Sequence, residues 1–294
     1  MRKILVTGVR GQVGWELVRT LAPLGEVCGI DMAELDLSDA EAIRCYVREF
    51  EPDIIVNPAA YTAVDKAETD EELALKVNGI APGIFAEEAK RLGIWFVHYS
   101  TDYVFDGEKD GSYVEEDAPN PQGAYGRTKL AGEIAVRESG CKHIILRTSW
   151  VYGARGHNFM LTMLRLGRER DELRVVADQI GAPTWCRGIA EVTAQILAQL
   201  HSPRMDFGRA EACTGTYHLT GGGETSWFGF ASEIIGRGLP ERNVRMLPIT
   251  TDQYPLPAPR PANSRLSNWK LRDVFGLELP PWQIELANCL AEKA

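Results

Sequence analysis

The stretch KILVTGVRGQVGWEL, residues 3–17, decides which fold the sequence predicts. It begins with a short apolar run, which is typical of a buried parallel strand. The glycines that follow, Gly8, Gly11 and Gly14, allow a tight turn and a close approach of the backbone to a pyrophosphate. The next residues predict a helix, and the positive N-terminus of a helix favours such an anion. We therefore predict a dinucleotide-binding loop between a strand and a helix.

A second predicted strand, EVCGID at residues 26–31, ends in an acidic residue, Asp31. Asp31 follows the last glycine of the loop at close to the ~20-residue spacing at which a carboxylate can hydrogen-bond the adenosine ribose. Its charge would repel the 2′-phosphate of NADPH, whereas Arg10, inside the loop, could attract that phosphate. The sequence predicts NADPH or NADH as the cofactor and leaves the choice between them open.

The alternation of strands and helices continues along the chain. Apolar runs that predict strands begin near residues 52, 93 and 142, and helices are predicted at about 38–50, 70–92 and 125–139. Alternating strands and helices form a parallel sheet with right-handed crossovers. We therefore predict an α/β fold with a Rossmann-type, doubly wound parallel sheet, in which ligands bind beyond the carboxyl ends of the strands.

The composition limits the classes of partner. The chain has 294 residues, of which 45% are hydrophobic and 25% are charged, an ordinary globular mixture. The net charge of −9 argues against a nucleic acid or a membrane surface as a partner. The sequence predicts neither a signal peptide nor a run of the ~20 apolar residues that span a membrane. The six cysteines form no CxxC pair, which favours reduced thiols and a cytoplasmic protein.

Tyr125 and Lys129, in AYGRTKLAGE at residues 124–133, lie four residues apart, so a helix would place both on one face. A strand is predicted over Ile94–Tyr99, and Thr101 is expected at its tip beside the crevice. Hydride transfer to a ketone builds negative charge on its oxygen, which a tyrosine can protonate and a hydroxyl can stabilise. A nearby ammonium should lower the tyrosine pKa from its usual ~10. The pattern predicts a ketone reductase that uses these three residues.

Seven segments, in order, resemble those of one family: GVRGQVGWEL (8–17), AAYTAVDKAE (59–68), STDYVFDG (100–107), YGRTKLAGE (125–133), RTSWVYG (147–153), ADQIGAPT (177–184) and RPANSRL (260–266). The resemblance is to the dTDP-4-dehydrorhamnose reductases, which are extended short-chain dehydrogenases, and it runs from residue 3 to about residue 285. It implies reduction of the 4-keto group of dTDP-4-dehydro-β-L-rhamnose by NADPH or NADH. The product would be dTDP-β-L-rhamnose, in the final step of dTDP-L-rhamnose biosynthesis.

Matched position by position, the resemblance assigns roles to individual residues. The catalytic residues would be Thr101, Tyr125 and Lys129. The cofactor would contact these three and also Gly8, Arg10, Gly11, Gln12, Val13, Gly14, Asp31, Asp36, Leu37, Ala59, Ala60, Thr62, Ala63, Val64, Tyr99 and Asp102. The dTDP-sugar would contact Thr101, Asp102, Val104, Tyr125, Trp150, Asn158, Arg260, Asn263, Ser264 and Arg265. The two arginines would supply the local positive charge that a diphosphate needs.

The resemblance also implies two parts and a question about assembly. Residues 1–153 and about 183–222 would form the dinucleotide-binding domain, and about 154–182 and 223–294 a smaller, mainly helical substrate-binding lobe. Some members of the family form dimers bridged by a metal ion that glutamates hold. Glu16 matches one such position, but the second falls on Arg187, and an arginine cannot ligate Mg²⁺. We therefore predict no metal and a monomer or homodimer.

Three histidines, His98, His157 and His218, are widely separated and have no metal-ligand spacing. They are predicted to be structural.

Two other functions are compatible with parts of the sequence. A nucleotide-sugar 4,6-dehydratase needs an Asp–Glu pair after its threonine, but here Thr101 and Asp102 are followed by Tyr103. Another nucleotide-sugar reductase or an epimerase is disfavoured only by the family-specific segments. A non-catalytic regulatory subunit, similar to the β-subunit of methionine adenosyltransferase, would bind a dinucleotide without turning it over. The intact set of Thr101, Tyr125 and Lys129 favours an enzyme.

Overall fold

The computed structural model describes residues 1–202 and 207–293. The strands are β1 (Lys3–Val6), β2 (Glu26–Gly29), β3 (Ile54–Asn57), β4 (Trp95–Thr101), β5 (Lys142–Thr148), β6 (Val151–Tyr152), β7 (Glu172–Val176), β8 (Ile180–Gly181), β9 (Thr184–Trp185), β10 (Gly215–His218), β11 (Thr225–Ser226), β12 (Arg245–Ile249) and β13 (Asn263–Ser264). The helices are α1 (Gln12–Thr20), α2 (Ala40–Phe50), α3 (Val64–Ala67), α4 (Glu71–Leu75), α5 (Ala81–Leu92), α6 (Ala124–Ser139), α7 (Phe159–Glu169), α8 (Cys186–Leu200), α9 (Phe207–Ala212), α10 (Trp227–Gly238), α11 (Trp269–Phe275) and α12 (Trp282–Lys293).

The centre of the molecule is a six-stranded parallel sheet with the order β10-β5-β4-β3-β1-β2. Apolar side chains cover both faces. On one face α1, α8 and α11 pack on the strands, for example through Leu17, Ile189 and Leu271. On the other face α2, α5 and α6 do so, for example through Val47 and Phe85. The predicted Rossmann-type α/β fold is confirmed.

The chain reverses direction across the sheet at β1, which pairs with β2 on one side and with β3 on the other. The loops that follow β1 and β3 therefore diverge and leave a crevice between them. Crevices of this kind, outside the carboxyl ends of the strands, are where doubly wound sheets bind ligands.

Several elements differ from the sequence prediction, and the strand predicted over 26–31 ends at Gly29. The strand predicted to end at Tyr99 continues to Thr101, because Ser100 and Thr101 pair in register with Arg147 and Thr148 of β5. The helix predicted over 70–92 is interrupted by a π-helical turn at Lys76–Ile80. Single π-helical turns within α-helices often occur at functional sites.

The second half of the chain contributes to two apolar cores. Helix α8 packs on α1, and β10 joins the central sheet beside β5. By contrast, α7, β7, α10, β12 and α12 surround a separate apolar cluster, and β7 pairs in parallel with β12. Every helix within the described ranges is too short or too polar to cross a bilayer.

Helix α6 lies unusually close to its neighbours because two glycines face them. A Cβ atom at Gly126 would lie 2.1 Å from the carbonyl oxygen of Tyr103, and one at Gly132 would lie 2.2 Å from that of Asn78. A side chain at either position would push α6 away from the end of β4 or from the π-helical turn. The glycines therefore fix the position of the helix that carries Tyr125 and Lys129.

We expect Gly132→Ala to lower the free energy of unfolding by about 1–3 kcal/mol, because the added methyl group overpacks a closed contact. Gly236→Ala is the control, since no atom lies within 4 Å of the position of its Cβ and Gly236 is exposed in α10. It should stabilise the protein by about 0.5–1 kcal/mol, the usual helix preference for alanine. Urea denaturation measures both. If Gly132→Ala leaves the free energy of unfolding unchanged or raises it, as Gly236→Ala should, the close contact is contradicted.

Candidate active site

The loop after β1 fits a dinucleotide. Gly8 has φ +59°, a left-handed conformation that favours glycine. A Cβ atom at Gly14 would lie 2.1 Å from the carbonyl oxygen of Gly8, so only glycine lets α1 approach the loop. Gly11 is the residue before α1, and it has no side chain that could cap the free N–H groups of the first turn of α1. The first turn of α1 is therefore available to an anion such as a pyrophosphate.

Asp31 lies just past the end of β2, at the rim of the crevice. One of its carboxylate oxygens accepts a hydrogen bond from the Arg10 backbone N–H (2.8 Å) and the other from that of Met32 (2.9 Å). The carboxylate is thus fixed against the glycine-rich loop, while the Arg10 residue is exposed. Asp36, farther along, accepts from the backbone N–H of Ser38, which lowers its carboxyl pKa.

Other residues expected at the cofactor follow β3 or lie beneath the crevice. Ala59 packs against Gly8, and its N–H is 3.3 Å from the Thr7 hydroxyl oxygen. The hydroxyl of Tyr99 is hydrogen-bonded to that of Thr193 in α8 (2.8 Å), so its polar end is already engaged with α8. Leu37 and Val13 are partly buried against apolar clusters. The remaining expected contacts, Ala60, Thr62, Ala63 and Val64, lie between β3 and α3 or begin α3.

Asn158, expected at the substrate, links the glycine-rich loop to α7. Its Oδ1 accepts from the N–H of Leu161 and caps α7, and its Nδ2 lies 2.9 Å from Gln12 Oε1 and 2.9 Å from the Gly153 carbonyl. The amide is buried and already has partners. Its visible role is to fix Gln12 and the start of α7, which the sequence did not indicate.

The three expected catalytic residues converge at the end of β4. Thr101 is the last residue of the strand, and its hydroxyl donates to Asp102 Oδ1 over 3.0 Å. Tyr125 in the first turn of α6 interacts with the Thr101 hydroxyl and contacts the ring of Tyr103 edge-on, with 5.4 Å between centroids. Lys129 lies one turn farther along α6.

Burial controls the protonation of this group. Burial and the Asp102 carboxylate raise the pKa of Tyr125 above its usual value, and the Thr101 hydroxyl opposes this only in part. The expected lowering of the tyrosine pKa by Lys129 is therefore not what this arrangement gives. Burial also raises the pKa of Asp102 to about 6, although hydrogen bonds from the hydroxyls of Ser264 and Thr101 lower it in part. Burial lowers the pKa of Lys129 to about 8.

Lys129 has a partner that the sequence did not indicate. Its Nζ lies 3.3 Å from Nε2 of His98 in β4. We expected His98 to be structural because it has no metal-ligand spacing. The available signal was its position three residues before Thr101 on the same strand, which places it on the same edge of the sheet as the catalytic group.

The side of the site where the substrate is expected has an aromatic wall. Trp150 has φ +49°, which is strained for a residue with a large side chain, and strain of this kind clusters at functional sites. Its indole stacks on Trp227 of α10, with 3.7 Å between ring centroids, and packs against Gly181. The sequence did not single out Trp227, because it lies far from Trp150 along the chain.

The RPANSRL segment also lies near this group, but its polar atoms have partners. Arg260 pairs with Asp65 at 2.8 Å and lies over the ring of Tyr103. Arg265 donates to Asn263 Oδ1 at 2.8 Å, and its guanidinium lies 3.5 Å from Glu224. A diphosphate would have to replace these carboxylates. The Asn263 amide donates to two carbonyls of the loop after β4, at Lys109 and Gly111.

One residue expected at the substrate has a buried side chain. Val104 is completely buried in a small apolar cluster with Phe105, Tyr113 and Leu266. Its side chain is closed to a ligand, because a 3₁₀ turn at Asp102–Val104 directs it into the core.

Glu16 and Arg187 lie together within the one chain. Arg187 Nε is 3.3 Å from Glu16 Oε2, and its guanidinium also pairs with Glu292. The arginine thus occupies the space beside the carboxylate where a second acidic ligand was expected. No cluster of three or more possible metal ligands occurs among the residues that the structure describes.

Comparisons with known proteins show the family of this chain. The model of the RmlD substrate binding domain family matches residues 1–294. A dTDP-4-dehydrorhamnose reductase of Burkholderia thailandensis is 50% identical, over 99% of this chain and 98% of its own. A crystal structure of a dTDP-4-dehydrorhamnose reductase from Clostridium acetobutylicum has a TM-score of 0.91 at 40% identity, with 99% of both chains covered. One from Bacillus anthracis, in complex with NADP, has a TM-score of 0.90 at 36% identity, again with 99% of both covered.

The crevice, the glycine-rich loop and the Thr–Tyr–Lys group define an NAD(P)H-dependent oxidoreductase of the extended short-chain type. Within that class, the match over the whole chain is specific. The chain belongs to the dTDP-4-dehydrorhamnose reductase family.

We expect Asp31→Ala to weaken NADH binding by about tenfold, because a hydrogen bond from the ribose to a charged group contributes about 1.5–3 kcal/mol. NADPH should lose less, since its 2′-phosphate no longer meets a carboxylate. Fluorescence titration of each reduced cofactor measures the ratio, and Glu49→Ala, which removes an exposed carboxylate of α2 outside the proposed cofactor contacts, is the control. An equal loss for both cofactors would mean that Asp31 does not contact the ribose.

Proposed function

We propose that this protein reduces the 4-keto group of dTDP-4-dehydro-β-L-rhamnose with NADPH or NADH, giving dTDP-β-L-rhamnose. This would be the final step of dTDP-L-rhamnose biosynthesis. The observation that carries the proposal is the meeting of Thr101, Tyr125 and Lys129 at the end of β4, beside the crevice of a chain that matches the reductase family throughout.

We propose the following roles for this chain's residues. A reduced nicotinamide, when bound, supplies the hydride. Tyr125 supplies the proton to the developing alkoxide, and Thr101 turns its hydroxyl from Asp102 toward that oxygen. Burial favours the protonated phenol, so Tyr125 holds its proton until negative charge develops on the substrate.

Lys129 supports Tyr125 electrostatically. Its pKa of about 8 keeps a substantial ammonium fraction at neutral pH, in a site where burial strengthens its field. The ammonium favours the tyrosinate that remains after proton transfer. Because the lysine pKa is so close to neutrality, the ammonium can also return a proton to Tyr125.

We propose that the cofactor lies on the glycine-rich loop, with Asp31 at its adenosine ribose and the residues after β3 along its length. Its contacts would be Gly8, Arg10, Gly11, Gln12, Val13, Gly14, Asp36, Leu37, Ala59, Ala60, Thr62, Ala63, Val64, Tyr99 and Asp102. Asn158 would act on this loop through Gln12.

We propose that the sugar nucleotide lies between the catalytic group and the Trp150–Trp227 stack. Arg260 and Arg265 would bind its diphosphate by charge-assisted hydrogen bonds, exchanging the carboxylates of Asp65 and Glu224 for phosphate oxygens. Ser264 interacts with Asp102 and would help to orient the sugar.

We also propose the division of the chain into a dinucleotide-binding domain, 1–153 with about 183–222, and a substrate-binding lobe, about 154–182 with 223–294. The pairing of β10 with β5 and the separate apolar cluster around α7 and α10 support it. A cytoplasmic location is part of the same proposal, because both substrates are soluble nucleotides.

The test follows the absorbance of the reduced cofactor at saturating dTDP-4-dehydrorhamnose, generated in place by an epimerase. The wild type should oxidise the cofactor and form the rhamnose nucleotide. Tyr125→Phe should lower kcat by about 10²-fold or more while still binding cofactor, because a positioned general acid contributes that much. Cofactor binding without any oxidation by the wild type would reject the reductase, and near-normal turnover by Tyr125→Phe would remove Tyr125 from the mechanism.

We further propose that the protein forms no metal-bridged dimer, because Arg187 neutralises Glu16 within one chain. Sedimentation velocity should give the same species in Mg²⁺ and in a chelator, whether monomer or homodimer. Glu16→Gln, which removes the candidate ligand, is the control and should sediment as the wild type does. A dimer that dissociates on chelation would refute the proposal.

A further inference from the structure

A chain of buried polar side chains runs beneath the crevice from α6 to β1. Lys129 Nζ lies 3.3 Å from His98 Nε2, and His98 Nδ1 lies 3.3 Å from Asn57 Nδ2. The Thr7 hydroxyl donates to Asn57 Oδ1 over 2.5 Å. All four residues are at most 2% exposed. The chain crosses the ends of β4, β3 and β1 and stops one residue before Gly8 of the glycine-rich loop.

His98 is neutral within this row of buried side chains. Burial and the nearby Lys129 hold its pKa well below the usual range for histidine. A neutral imidazole has one nitrogen that donates and one that accepts, and the partner of each nitrogen decides which is which.

In this row of side chains, every donor can face an acceptor whether Lys129 is an ammonium or a neutral amine. With Asn57 Nδ2 toward His98 Nδ1, the ring hydrogen is on Nε2 and meets the lone pair of a neutral Lys129 amine. After a half-turn of the Asn57 amide, its oxygen accepts from Nδ1–H, and Nε2 accepts from the Lys129 ammonium. The Thr7 hydroxyl can donate or accept and so fits both orientations of the amide.

We propose that His98 is the positioning residue of Lys129, which holds the amine at the crevice in both of its charge states. This inference rests on the proposed role of Lys129 in ketone reduction. A lysine that supports Tyr125 as an ammonium and then passes on a proton must stay in place as an amine. The neutral amine keeps two N–H donors but gains a lone pair, and a buried lone pair without a donor costs free energy. A partner that can both accept and donate therefore satisfies Nζ in both charge states.

The other charges near Lys129 are balanced among themselves. On α6, Glu133 favours the ammonium, but it is held by Arg147 of β5 at 2.7 Å and by Arg137. At the end of β4, Asp102 interacts with Thr101 and faces Tyr125.

The neighbouring helices add no charge at the amine. Glu68, after α3, accepts from the first N–H of α6, and Glu71 of α4 pairs with the exposed Arg127. The π-helical turn contributes the neutral Asn78 to Thr128, and in α5 Glu88 is paired with Arg48 and Arg91. His98 is the group in direct hydrogen-bond contact with Nζ.

Two isosteric variants separate a positioning role from a packing role. In His98→Gln the side-chain amide can replace Nε2, so the contact with Lys129 is retained. In His98→Asn the amide can replace only Nδ1, so Asn57 keeps its partner and Lys129 loses its own. Activity that needs the ammonium is present below the lysine pKa and is lost as the pH rises through it.

We expect the alkaline limb of the kcat/KM profile to move to lower pH in His98→Asn by about one unit. A hydrogen bond from the charged ammonium contributes more than one made by the neutral amine, so its loss destabilises the ammonium more. His98→Gln should keep the limb of the wild type. Identical limbs in the wild type and both variants, or an equal loss of kcat in both variants without a shift, would overturn the proposal. A wild type that does not turn over would instead reject the proposed function.

The wild-type protein offers a second test that needs neither turnover nor a variant at His98. Long-range ¹H–¹⁵N NMR of its five histidines should show the His98 ring exchanging its Nδ1–H form for its Nε2–H form with a midpoint near the Lys129 pKa of about 8. Lys129→Met should abolish that transition and identify the signals. A His98 ring that keeps one form from about pH 6 to about pH 10 would overturn the proposal.

Discussion

The parallel register of three neighbouring strands is the constraint on which the site depends. Asn57 of β3 is paired with His98 of β4, and Thr101 of β4 with Thr148 of β5. Because parallel strands all end at the same edge, this register brings polar residues from separate parts of the chain together beneath one crevice. His98 and Thr101 lie on opposite faces of β4, and a slip of one residue would move each of them to the face it does not occupy now.

Burial then gives these polar groups their chemical character. The same low-dielectric environment raises the pKa of Tyr125 and Asp102 and lowers that of Lys129. Each of these shifts favours the neutral form of its side chain while no substrate is bound. In the proposed mechanism, a substrate oxygen that becomes negative meets a phenol, a hydroxyl and an ammonium whose positions are already fixed.

Aromatic stacking and ion pairs hold together the side of the site that the second half of the chain forms. Trp150 accepts a strained backbone, and its stack on Trp227 joins the end of the central sheet to α10. The arginines of the RPANSRL segment are paired with Asp65 and Glu224, which compensates their partly buried positive charge. In the proposed function, a phosphate replaces these carboxylates. Arg187 and Glu16 form a similar internal pair across α1 and α8.

The sequence by itself determined the class of fold and the central chemistry. The glycine spacing after β1, the alternation of apolar runs with helices, and Tyr125 four residues before Lys129 are local patterns, and local patterns report backbone geometry and helix faces directly. The family-specific segments added the substrate class. The tertiary structure decided what depends on contacts distant in sequence: the partner of Lys129, the stack on Trp150, the burial of Val104 and the direction of the Tyr125 pKa shift. Burial and hydrogen-bond partners come from the packing of distant elements, which no local pattern encodes.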